Sequence, residues 1–159
     1  MKKKLFLGLL LLFSIDVFAC TCIGKSTVKG ALSQSDVVFS GRILSVNFFT
    51  VVDDNLPSKY QFKKAEYLVL VKKIHKGDIV SDTLRVITGL GHGDCGIQFS
   101  IGFEYIIYSS YSNKHFEDGR TISSFLKTSI CTRTMRYNKK ELRKIKRVLR
   151  KHPEKTSFN

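Results

Sequence analysis

Proline is scarce in this chain, with two residues, and acidic side chains are outnumbered, 13 against 27 Lys and Arg. So little proline, and 11 glycines with no period, exclude a collagenous, proline-rich or low-complexity chain. With 43% apolar and 25% charged residues the composition is globular and argues against disorder. A length of 159 residues excludes two large domains. The longest apolar run, Leu5 to Phe13, is nine residues, and a membrane-spanning helix needs about 20. No HxxxH or CxxC spacing marks an intrinsic zinc site around His75, His92, His115 or His152. The shortage of acid leaves a formal charge of +14 and a basic surface.

What is present begins with Lys2, Lys3 and Lys4, then the apolar run, then Ser14 to Ala19. That is the three-part layout of a secretory signal peptide, in bacterial style. Val17 and Ala19 are the small residues required before the cut, so residues 1–19 are expected to be removed and Cys20 to become the first residue. Removal takes away three lysines and Asp16, so residues 20–159, expected as one domain, keep 24 basic and 12 acidic side chains. Val17-Phe18-Ala19-Cys20 also approaches a lipoprotein processing site, although Phe18 is bulky there. The expected location is therefore periplasmic or extracellular, free or anchored through Cys20. All four cysteines, Cys20, Cys22, Cys95 and Cys131, lie in the exported part, which reads as two disulfides. Of the three connectivities, Cys20 to Cys22 is disfavoured because it closes a small strained ring.

A short helix is expected within residues 26–34, interrupted by Gly30. From Asp36 to Val52 a long strand places Val37, Phe39 and Ile43 on one side and Val38, Ser40 and Arg42 on the other, with a bend or bulge at Gly41. Further strands are expected over Lys64–Ile74, Thr83–Thr88, Phe103–Tyr111 and Thr121–Leu126. Asn138 opens a helix to about His152, with Glu141 as capping partner and Leu142, Ile145, Val148 and Leu149 as its apolar stripe. From Asn138 to Lys155 nine Lys or Arg face two Glu, so more than half the net charge of the exported chain sits there. The fold class is mainly β: a five-stranded antiparallel Greek-key barrel of the OB type with a C-terminal helix beside it. A plain β-sandwich is the alternative.

The chemistry concentrates at Cys20-Thr21-Cys22. A free α-amine has a pKa near about 8, and with the carbonyl of its own residue it forms a five-membered chelate. A rigidly held N-terminal residue is therefore a bidentate metal ligand through its backbone. No nucleophile, base and orienter assemble into a catalytic motif, so an enzyme is not expected. Tyr105, Tyr108 and Tyr111 offer a stacking platform of the kind nucleic-acid barrels use, but export argues against nucleic acid as partner.

The stretches CTC, SDVVFSGRI, KKIHKG, Cys95-Gly96, EYIIYSS and TSIC, in that order, resemble the netrin-like domain of the tissue inhibitors of metalloproteinases, over Cys20 to about Leu149. The resemblance implies an OB barrel and the pairs Cys20 to Cys95 and Cys22 to Cys131. It implies that Cys20 coordinates the catalytic zinc of a target protease through its amine and carbonyl. Thr21 then enters the adjacent pocket, and Cys22, Ile23, Gly24, His92, Gly93 and Asp94 flank the contact. Such a protein is a monomeric, secreted inhibitor of zinc metalloendopeptidases, with no cofactor and no metal of its own. The animal inhibitors carry a third disulfide in this domain, for which this chain has no cysteines. The second reading is an exported or lipid-anchored envelope binding module that uses the same stapled barrel without inhibition, since an acylated Cys20 amine does not chelate. In either case the basic helix is a solvated face or a contact to an anionic surface.

Overall fold

A computed structural model describes Cys22 and residues 26–51, 62–91, 93–112 and 125–151. In chain order the elements are α1 (Val28–Gln34), β1 (Val37–Val51), β2 (Phe62–Lys76), β3 (Thr83–Gly89), β4 (Glu104–Ser112), β5 (Phe125–Lys127), a 3-10 turn (Ile130–Thr132), β6 (Met135–Arg136) and α2 (Lys139–Lys151). The strands follow the order β1-β2-β3-β5-β4, and β4 pairs back onto β1, so the sheet closes into a ring; β6 adds a short pairing on β4. The expected alternation is broken at one seam, where β3 and β5 run parallel through Val86↔Leu126 and Ile87↔Lys127. The reason is parity. A ring of five strands cannot alternate direction all the way round, and the mismatch falls where β5 is shortest.

Period-two burial builds two cores on the two faces of the sheet. Val37, Phe39 and Ile43 of β1 point into the barrel with Ala65, Tyr67, Val69, Val86, Tyr105, Ile107 and Leu126. Val38 points outward, with Ile106 and Tyr108, beneath Val28, Ala31 and Leu32 of α1 and Ile145 of α2. The expected division of β1 into two sides is therefore the division between the barrel interior and the seat of the helices. It also separates the tyrosines. Tyr105 is inside, Tyr108 lies under α2 and Tyr111 is half exposed, so they form no shared platform. Inside, Phe99 stands edge-on between Tyr67 and Tyr105, with ring centroids 4.9 and 4.8 Å away. The Tyr67 and Tyr105 hydroxyls accept the Phe99 and Ser100 amides and hold the chain before β4 against the core.

The pairing of β1 with β2 shifts register at Ser40/Gly41, where a bulge was expected. A Cβ at Gly41 would sit 2.7 Å from the Leu70 carbonyl oxygen. Thr27 caps α1 by accepting the Gly30 amide at 3.0 Å, and Lys76 Nζ donates to the Leu32 carbonyl near its C-terminal end. Asn138 caps α2, its Oδ1 accepting the Lys140 amide at 2.8 Å. Glu141 is not the capping partner it was expected to be. It turns inward and is buried.

Candidate functional site

Two neighbouring turns hold Cys95 and Cys131. In the first, between β3 and β4, the Asp94 carboxylate accepts the amides of Leu90, Gly91 and Gly96 at 3.0, 2.8 and 3.1 Å, with Lys64 Nζ at 3.4 Å. Burial pushes the Asp94 carboxyl up, but the three amides and Lys64 outweigh it and hold the group below its ordinary value. Gly91 and Gly93 supply the left-handed backbone this tight wrap needs, and Cys95 follows with φ of 57°. Gly96 packs directly on Gly89, so that a Cβ on Gly96 would overlap the Gly89 backbone.

In the second turn the Ser129 hydroxyl accepts the Cys131 amide, and the Thr132 side chain closes back on Ser129 as a capping box. The Ile130 amide donates to the Cys95 carbonyl at 3.0 Å, so the two cysteine turns are joined by a direct backbone hydrogen bond. Cys131 is bridged to Cys22, with Cα atoms 5.4 Å apart across 109 residues of sequence. Cys95 is also disulfide-bonded, to a partner outside the described residues. Ile130, between the two, is half exposed.

A third hold was not anticipated. Arg133, two residues after Cys131 and with φ of 70°, donates through Nη1 to the Ser26 carbonyl at 2.6 Å. Through Nε and Nη2 it grips both Glu141 carboxylate oxygens, and the Tyr108 hydroxyl donates to Glu141 Oε1 at 2.9 Å. Burial pushes the Glu141 carboxyl up, but the Arg133 and Tyr108 hydrogen bonds prevail and hold it below its ordinary value. Burial, with the neighbouring carboxylate, pushes the Tyr108 phenol up. The network ties the entering chain at Ser26, the cysteine turn, the barrel wall and α2 into one unit. A lone acid among cations in Lys139–Lys151 was the sequence signal for it, and it reads equally as a cap.

Of the residues expected at the site, Gly93, Asp94, Cys95 and Cys131 are in these two turns, and Cys22 is joined to the second by its disulfide. Cys20, Thr21, Ile23, Gly24 and His92 lie outside the described residues. Gly93 and Asp94 act within the chain, as turn and amide acceptor. Among the described residues no group of three His, Cys, Asp or Glu side chains is placed to hold a metal ion, and no helix is long and apolar enough to cross a membrane. A cleft of about 490 Å³ lies away from the cysteine turns, lined by Leu68, Ile79, Leu84, Tyr111 and Phe125 among others. No protein-family profile matches the chain, and no curated protein sequence matches it.

Proposed function

We propose that this protein is an exported inhibitor of zinc metalloendopeptidases that acts through its N-terminal cysteine. The observation that carries the reading is the pair of hydrogen-bonded cysteine turns, one of which receives Cys22. With Cys22 and Cys131 joined, a chain of four cysteines leaves Cys20 as the intramolecular partner for Cys95. On this reading Cys20-Thr21-Cys22 is stapled at each end by a disulfide, with Arg133 holding Ser26 just beyond. A tripeptide so fixed has its amine and first carbonyl preorganised for a metal in another protein, and the entropy of ordering it is met before binding. The closed ring with its parallel β3–β5 seam and outer helices fits the OB-type barrel of the netrin-like inhibitors. We read Thr21 as the side chain that enters the protease pocket beside the zinc.

The test is inhibition of a panel of zinc endopeptidases by protein beginning at Cys20, beside the Thr21→Gly variant. A side chain lost from a snug pocket weakens binding by roughly tenfold to two-hundredfold. A panel left fully active at micromolar protein, with intact mass establishing an unblocked Cys20 amine, favours the envelope binding module instead.

A further inference from the structure

The outer face of α2 is charged in one sense only. Its single acid, Glu141, is buried against Arg133. The eight other charged residues from Lys139 to Lys151 are all Lys or Arg, and all are exposed. Among the described residues none of the eight is in an ion pair. At 3.6 residues per turn they fall on one arc of about 160°, opposite Ile145. Like charges stand four residues apart at Lys139/Arg143, Lys140/Lys144 and Arg143/Arg147, where each pair weakens the helix. A face that served only solubility would mix signs and avoid this repulsion. The field extends beyond the helix, since after burial the charges of Lys73 of β2 and Lys146 of α2 both disfavour protonation of His75.

We propose that α2 docks this protein on an anionic lipid bilayer, with headgroup phosphates against the cationic arc. The apolar stripe is committed to the outer core, where Ile145 is fully buried with Leu142, Val148 and Leu149 around it, so no apolar side of the helix is free to insert. Attachment is therefore electrostatic and reversible by salt. A bilayer is favoured over a linear polyanion by shape. The cations spread over one convex arc of the helix, a shape that meets a plane of headgroups, and α2 itself carries no aromatic side chain to stack on bases or sugars. The proposal is independent of protease inhibition, and it would hold this protein near surface-bound partners without a lipid anchor.

The experiment is sedimentation of the chain from Cys20 onward, which carries every described element, with phosphatidylcholine vesicles made with and without phosphatidylglycerol. Binding is expected only to the anionic vesicles and is lost at high salt. Each basic residue near such a surface contributes about fivefold to affinity, so Lys144→Gln/Arg147→Gln/Lys151→Gln weakens it about a hundredfold. Because the repulsion relieved is offset by the attraction of Lys144 to Glu141 and of Lys151 to the helix C-terminus, that variant melts close to the parent temperature. Absence of phosphatidylglycerol-dependent binding in low salt overturns the proposal, as does undiminished binding by the folded triple variant. Tighter binding to a sulfated polysaccharide or to DNA than to vesicles of equal charge concentration overturns the choice of a bilayer.

Discussion

Glu141 shows how one residue read correctly as to type was assigned the wrong partner. An acid three residues into a helix after Asn138 has the spacing of a capping box, and nothing local in the sequence points instead to Arg133 and Tyr108. The structure buries it because both partners converge from other elements. Removing one member of a buried pair leaves the other uncompensated, so Glu141→Ala is expected to cost about 3 kcal/mol in urea unfolding. Arg133→Met with Glu141→Leu should recover only part of that loss, because the Tyr108 hydroxyl and the Ser26 carbonyl also lose their partners. His75 sets a different pH window. Burial, then Lys73 and Lys146, hold its imidazole below the ordinary value of 6.5, and Nε2 is buried with no hydrogen-bond partner among the described residues. The unfolded chain therefore takes up the proton first as pH falls. Stability is full above the ordinary value, and falls as the solution is acidified towards the lowered folded value. The depressed carboxyls of Asp94 and Glu141 act only below their ordinary values of 3.8 and 4.5. A melting curve series from about pH 7 to 5 should thus show a decline that His75→Leu removes.

At the scale of elements, the two cysteine turns depend on close backbone contact. Gly96 against Gly89 leaves no room for a methyl group, so Gly96→Ala is expected to cost about 1 to 3 kcal/mol in chemical denaturation and to shift the Cys95 turn. Gly102, where an added Cβ meets nothing within 4 Å but φ is 83°, is the contrasting control: there the cost is backbone strain without a steric clash. Much of this level was legible in advance. The alternation in Val37–Ile43 showed both faces of β1, the register shift at Ser40/Gly41 came where a glycine interrupted a β-branched run, and α2 ends within a residue of its expected limits. The parallel seam was not legible, because β5 is three described residues whose direction relative to β3 is decided by ring closure and not by its own side chains. The Ser26–Arg133 hold was invisible for a related reason: it spans 107 residues and ends on a carbonyl, which carries no side-chain signature.

At the scale of the whole molecule, a closed barrel with a second core beneath its helices forms a stiff base, and the bridge to Cys131 fastens the chain at Cys22 to it. The proposed function needs that base to present one amine in one place. Metal binding requires the amine's lone pair, so inhibition should strengthen as pH rises through about 8, the ordinary range of an α-amine. The most direct measurement compares two preparations of this chain against one susceptible zinc endopeptidase, the first beginning at Cys20 and the second keeping Ala19 in front of it. With both proteins matched in disulfides and melting temperature, the account predicts that the first inhibits and the second does not. Equal inhibition by the two would contradict chelation through the Cys20 amine.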